Sequence, residues 1–238
     1  MTNALDWFAD LDWGSIFQIV MIDILLGGDN AVVIALACRN LSPQHRKLGI
    51  FWGSFAAIAL RVMLIFFAVS LLDLPTLKII GGLLLIWIGV KLVLPPQGEG
   101  HHANIQSNVR LWAAVKTIVV ADFVMSLDNV IAIAGAAEQA VPSQRLGLIV
   151  FGLLVSVPFI VFGSQLILRL LDRFPVIVLF GGALLGWIAG ELFVGDALVD
   201  AHIPDHPAIV YGASAIGALL VIVLGKWIEH RRAAAAAT

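Results

Sequence analysis

The chain has 238 residues, of which 61% are hydrophobic and only 13% charged, with a mean hydropathy of +1.00. Soluble domains run nearer half apolar and a quarter charged, so the composition excludes an ordinary soluble domain and describes an all-α, polytopic membrane protein. The formal net charge of −2 says little in itself, no nucleic-acid partner is expected, and the single cysteine, Cys38, rules out an intramolecular disulfide.

The first twelve residues carry Asp6, Asp10 and Asp12 and no Lys or Arg. That is the wrong charge for a secretory signal, so the first apolar run is expected to stay as a span. Crossing a bilayer takes about 20 apolar residues, and seven runs qualify: 15–37, 48–72, 77–94, 111–137, 146–171, 176–194 and 209–228. Turn-rich points separate them, among them Asn40-Leu-Ser-Pro43, Asp73-Leu-Pro75, Pro95-Pro-Gln-Gly-Glu-Gly100 and Phe174-Pro175. Lys and Arg set the orientation. Arg39, Arg46, Lys47, Lys91, Arg110, Lys116, Arg169, Arg173, Lys226, Arg231 and Arg232 flank alternate connections, and only Lys78 and Arg145 lie on the other side. The expected topology is an inner (plasma) membrane protein with its N-terminus outside and its C-terminus in the cytoplasm. Arg61 alone falls mid-span, where it reads as a buried ion-pair partner or a snorkelling side chain.

The chain repeats itself. Asp23-Ile-Leu-Leu-Gly-Gly-Asp29-Asn30 returns 99 positions later as Asp122-Phe-Val-Met-Ser-Leu-Asp128-Asn129. Pro43, Arg46, Gly53 and Asp73 match Pro142, Arg145, Gly152 and Asp172 at the same offset; after one inserted residue, Gly81, Gly82 and Trp87 match Gly181, Gly182 and Trp187. The expected organisation is an extracytoplasmic N-terminus (1–14), a three-helix repeat (15–94), a cytoplasmic linker (95–110) and a second three-helix repeat (111–194). An outer loop, a seventh helix and a basic tail (195–238) complete it. An odd number of spans per copy inverts one copy relative to the other, an arrangement typical of secondary transporters with midplane binding groups.

The two motifs carry the chemistry. Asp23, Gly27 and Asn30 stand at i, i+4 and i+7 and share one helical stripe; Asp122, Ser126 and Asn129 form the matching one. Asp29 and Asp128 sit one residue off those stripes. Inversion places Asp23 level with Asp128 and Asp29 level with Asp122, if the two helices pack together. Gly27 and Gly28 permit close packing and a local break that frees carbonyls; Ser126 and Leu127 make a break in the second copy less expected. Carboxylates at this depth are costly and repel one another unless a cation or protons neutralise them. Carboxylate and amide oxygens, with no Cys or His among them, suit a hard divalent ion such as Mg²⁺, Ca²⁺ or Mn²⁺. The expected metal ligands are Asp23, Asp29, Asn30, Asp122, Asp128 and Asn129, supported by Gly27, Gly28 and Ser126.

Other polar groups are weaker candidates. His101 and His102 in the linker, and His202, Asp205 and His206 outside, read as solvated side chains before they read as metal ligands. Lys91 and Glu191 occupy equivalent ends of the third and sixth spans, where snorkelling or an interfacial pair is expected.

Gly27-Gly-Asp-Asn-Ala31 and Ser126-Leu-Asp-Asn-Val130, on the first and fourth of seven spans, resemble the TerC family of integral membrane proteins, and within it the YjbE-like branch. The resemblance covers nearly the whole chain. It implies a relation to the lysine-exporter superfamily, an association with tellurium resistance and manganese export, and a core site of Asp29, Asn30, Asp128 and Asn129, with Asp23 and Asp122 in support. The leading reading is a secondary exporter of Mn²⁺ as transported ion, with no bound cofactor and with proton coupling through the same carboxylates. No Gly-x-x-x-x-Gly-Lys motif supplies ATP hydrolysis. The expected partners are the lipid bilayer, the divalent cation, protons and a second copy of the chain in a homo-oligomer. One alternative is a membrane scaffold that hands metal to exported proteins. The remote alternative is an intramembrane aspartyl protease, although Leu26 stands where that motif has its first Gly and Tyr211 is not followed by Asp.

Overall fold

In a computed structural model, the structure describes residues 13–72, 76–95, 103–138, 145–204 and 206–236, and their side chains apart from 15, 68–72, 103–106, 128, 130–138, 145, 146 and 236. Regular structure among the described residues is entirely α-helical. In chain order the helices are α1 Trp13–Leu26, α2 Gly28–Cys38, α3 Pro43–Leu72, α4 Leu77–Val93, α5 Ala103–Glu138, α6 Arg145–Arg173, α7 Val176–Val194, the single turn α8 Ala197–Asp200, and α9 Pro207–Ala236. By length and composition four helices can each cross a bilayer, within α3, α6, α7 and α9; α1 and α2, bent by 49° at their break, are a fifth if the pair forms one broken span rather than a re-entrant loop. Of the other two expected spans, the third is α4, at 17 residues, short of the about 20 that a straight crossing takes. The fourth lies within the 36-residue α5.

Two boundaries differ from the sequence reading. The helix holding the fourth expected span begins at Ala103, inside the stretch read as linker, rather than at 111. The last helix runs on through Lys226, Arg231 and Arg232 to Ala236, because nothing in an Arg-Arg-Ala-Ala-Ala sequence stops a helix: alanine and arginine are among the best helix formers. Hydropathy marks where a helix leaves the bilayer, not where it ends.

The surface is apolar and the interior partly polar. Phe17, Phe55, Phe66, Phe162 and Phe180 are each more than half exposed, while Asp23, Asn30, Ser54, Arg61, Asp122, Ser126 and Ser156 are buried. That is the distribution of a protein whose outer solvent is lipid and whose polar groups turn toward one another. Around this polar centre, Ile16 and Ile19 of α1 pack with Leu148, Ile149 and Leu153 of α6. Ile34 and Leu36 of α2 join Ile50 of α3 and Leu111, Val115 and Ile118 of α5.

Packing follows the internal repeat. The first span packs chiefly on α6 and its counterpart α5 on α3, while α4 packs on α7. Gly53 faces Ile118, and Gly152 faces Ile19; these are the same two positions with the copies exchanged. Gly82 lies against Ala189 and Phe193, and Gly182 against Gly89 and Val93, again exchanged pairs. Across the copies Arg46 binds Asp172 at 2.6 Å; the equivalent Asp73 lies outside the described residues. Trp87 lies under Lys91 at 5.1 Å, and its counterpart Trp187 donates Nε1–H to Glu191 at 2.9 Å, so each end-of-span charge rests on its own helix's tryptophan.

Asp196, just past α7, ties this end of α7 to the start of α4. Its carboxylate accepts the N–H groups of Leu198 at 3.1 Å, Thr76 at 3.2 Å, Lys78 at 3.2 Å and Ile79 at 3.3 Å. Burial works against its charge, but these donors outweigh burial and hold the carboxyl below its usual range. The side chain so satisfies orphan donors at the start of α4.

The extra helix α9 packs mainly on α7 and also on α4. Gly186 and Gly190 lie against the α9 backbone at Gly217 and Ala213, and a side chain at Gly217 would meet the backbone of Gly186 and Gly190, whereas Gly212 faces open space. Backbone cannot rotate away as a side chain can, so overpacking here costs about 1–3 kcal/mol. Gly217→Leu should lower the melting temperature of the detergent-purified protein by about 5 °C, and Gly212→Ala should not lower it. Equal melting of the two variants would show that this close approach is not a stability determinant.

Candidate functional site

The break between α1 and α2 begins the site. Gly27 has φ −99° and ψ 4°, and a Cβ there would run into the carbonyl of Asp23. Glycine is therefore required for the bend. The second copy has Ser126 at this position and α5 continues straight through it. The break leaves the last carbonyls of α1 and the first N–H groups of α2 without intrahelical partners. Asp29 takes one, accepting the N–H of Asn30 at 2.7 Å, and its charge lies in the first turn of α2, the favourable end of the helix dipole. Across the interface Asn129 Nδ2 donates to the Leu26 carbonyl at 3.4 Å.

At the centre, Arg61 of α3 binds both repeat-related aspartates. Its Nη1 donates to Asp23 Oδ1 and its Nη2 to Asp122 Oδ1 at 3.0 Å. Its Nε–H donates to Ser126 Oγ at 3.2 Å, and Ser126 Oγ–H donates to Asp122 Oδ2 at 3.3 Å. Ser156 of α6 donates to Asp23 Oδ2. Arg61, Asp23 and Asp122 are 3%, 1% and 4% exposed, so the ion pairs are shielded from water and their partners fully engaged. The network joins α1, α3, α5 and α6.

Beside it lies a small cavity with room for about one water molecule, lined in part by Asn30, Ser54, Arg61, Asp122 and Ile160. Both side-chain atoms of Asn30 and the Ser54 hydroxyl are buried without a hydrogen-bond partner. Buried polar atoms nearly always have partners, protein or water, and these three orphans around one cavity are the donors and acceptors that a small polar guest such as a water would satisfy. Asn129, the counterpart of Asn30, has its partner only because the first span is broken and exposes Leu26 O.

The expected site residues are distributed accordingly. Asp23, Asn30, Asp122 and Ser126 meet in or beside the network, Asn129 and Gly27 sit at the break, Gly28 faces open space, and Asp29 begins α2. The Asp128 side chain lies outside the described residues, as do His101, His102 and Asp205. Asp23 and Asp122, assigned to different levels by inversion alone, share one arginine. Among the described residues no three His, Cys, Asp or Glu side chains gather closely enough to hold a metal ion. His202, in the turn after α8, points back to it, Nδ1 lying 2.8 Å from Leu198 O, and His206 Nδ1 accepts the Ala208 N–H at 3.2 Å.

Of the two sequence readings of Arg61, the buried ion-pair partner agrees with its pairing to Asp23 and Asp122; the sequence reading does not number it, Ser54 or Ser156 among the site residues. Ser54 and Arg61 stand at i and i+7 of one span, a stripe that does read as inward-facing. Ser156 Oγ lies between Asp23 Oδ2 and its own helix's Leu153 O, 2.8 Å away, whereas Ser164 on the same helix has only the local contact, to Val161 O at 2.9 Å. Losing a donor to a buried charge costs about 1–3 kcal/mol. Ser156→Ala should lower the melting temperature in detergent by several degrees and Ser164→Ala by clearly less; the opposite order would contradict the network.

A family model described as the integral membrane protein TerC family matches residues 8–233. The uncharacterized membrane protein YjbE of Bacillus subtilis is 42% identical over 195 residues, 82% of this chain and 86% of that protein. The uncharacterized membrane protein YceF of the same organism is 25% identical over 229 residues, 93% and 85% of the two chains. The UPF0053 protein YegH of Escherichia coli is 24% identical over 196 residues, 74% of this chain but 36% of the relative. No solved structure matches. A match over nearly all of this apolar, helical, repeat-bearing chain makes it a multi-pass membrane protein that belongs to the TerC family of integral membrane proteins.

Proposed function

We propose that the protein is a secondary transporter that exports a divalent metal cation, manganese, through a carboxylate site at the bilayer midplane. One observation carries this reading. Asp23 and Asp122, one from each Asp-Asn motif, converge at a buried polar centre beside a cavity edged by unpartnered oxygen and nitrogen atoms of Asn30 and Ser54. Carboxylate, amide, hydroxyl and main-chain oxygens are the donors of a hard cation. A span broken at its middle, with freed carbonyls on one half and a helix N-terminus on the other, is how secondary transporters build ion sites inside a bilayer. The family resemblance supplies manganese and the outward direction; protons competing for the same carboxylates supply the coupling.

The same reading has seven spans in two inverted three-helix repeats plus α9. The exchanged contacts Gly53–Ile118 and Gly152–Ile19, and Gly82–Phe193 and Gly182–Val93, support it. The Lys and Arg distribution supports an inner-membrane orientation with the N-terminus outside and the C-terminus in the cytoplasm. A two-aspartate protease is disfavoured by the residues themselves: Leu26 stands where the Gly-x-Gly-Asp motif has its first Gly, and Tyr211 is not followed by Asp.

The test is Mn²⁺ flux into liposomes containing purified protein at matched levels. Asp29→Asn and Asp128→Asn keep the side-chain shape and one oxygen but remove the charge, and each should abolish flux in a folded protein. Asp172→Asn breaks only an exposed ion pair with Arg46, worth about 1 kcal/mol or less, and should keep most of it. Full flux in the first two variants, or equal loss in all three, would place the ion path elsewhere.

A further inference from the structure

On the reading just given, we propose that Arg61 is a tethered counter-ion: it holds Asp23 and Asp122 while no metal is bound, and a cation entering the Asn30–Ser54 cavity must displace it from Asp122. The guanidinium spans the two copies, with one nitrogen on each aspartate. It and Asp122 both line the cavity into which Asn30 and Ser54 bring unpartnered polar atoms. A divalent ion placed there, against Asn30 Oδ1, Ser54 Oγ and a carboxylate oxygen of Asp122, would stand beside a fixed positive charge in a medium that screens poorly. Both cations cannot keep Asp122 at once.

The repeat shows why there is one such group. The position equivalent to Arg61 is Ile160, which lines the same cavity. One guanidinium therefore faces Asp23 and Asp122 with no counterpart from the second copy. Arg61 keeps these two carboxylates from trapping the metal permanently: it supplies a competing cation that returns when the ion leaves. Binding strength is given up in exchange for release, as transport requires.

The experiment measures Mn²⁺ binding to purified protein by titration calorimetry, alongside flux in liposomes. Arg61→Gln removes the charge and leaves one amide donor on a shorter side chain. It should bind Mn²⁺ at least about tenfold more tightly than wild type and turn over more slowly, whereas Arg61→Lys, which loses the planar bridge but keeps the charge, should bind Mn²⁺ clearly less tightly than Arg61→Gln. Wild-type or weaker affinity in folded Arg61→Gln would overturn the proposal. If that variant does not fold without metal, Asp23→Asn and Asp23→Asn/Arg61→Gln are compared instead. The double variant should bind more tightly than the single one, and equal affinity would overturn the proposal. Wild-type flux of Mn²⁺ with unchanged affinity in the variants defeats the counter-ion alone. No Mn²⁺ binding or flux by the wild type defeats the transport reading as well.

Discussion

One guanidinium held between two carboxylates in the middle of a membrane protein is the interaction on which the rest depends. Neither Asp23 nor Asp122 can remain charged in a lipid-shielded interior without a partner, and Arg61 is equally unable to remain there alone. Taking one partner from a buried pair costs about 3–5 kcal/mol. The chain therefore has to bring α1, α3 and α5 to one point, and Ser156 adds α6. Close packing elsewhere serves the same end: Gly53 and Gly152 let the spans that bear the aspartates approach their neighbours through Ile118 and Ile19.

The symmetry of the repeat is broken around the buried polar centre. Gly27 bends the first span, and Ser126 in the matching place stays helical and hydrogen-bonds Asp122 instead. Arg61 corresponds to Ile160, Ser156 to Ala57 and Ser54 to Leu153. Each exchange puts a polar group on one side of the centre and an apolar one on the other. Among the described residues the result is a pair of equivalent aspartates in unequal surroundings, with Asn30 unpartnered beside the cavity and its counterpart Asn129 bonded to Leu26 O. Unequal surroundings allow a binding centre to face two compartments differently while the scaffold around it is duplicated.

Much of this was legible in the sequence because the membrane restricts what a residue can do. An aspartate in an apolar run has few uses, and its return 99 positions later reads as a pair of related groups, which Asp23 and Asp122 on Arg61 are. Arg61 was visible as an anomaly but not as a member of the site, because its partners lie 38 and 61 positions away on helices whose relative depth spacing alone does not set. Inversion of an ideal repeat pairs Asp29 with Asp122 by depth, but spacing alone does not show that Asp23 and Asp122 also meet on one arginine. Ser54 and Ser156 escaped notice because serine in a membrane helix usually bonds its own backbone, as Ser164 does. The start of α5 was missed for another reason: polar residues outside the bilayer form helix as readily as linker.

The most direct measurement is the position of the metal itself. Crystals of the purified protein grown with Mn²⁺, with diffraction recorded at the manganese absorption edge, should show an anomalous peak between the two Asp-Asn motifs. Asn30 Oδ1 and a carboxylate oxygen should be among its ligands, with Arg61 withdrawn from Asp122. A manganese-loaded protein in which Arg61 still bridges Asp23 and Asp122, with the peak outside the two motifs, would contradict both the site and the exchange.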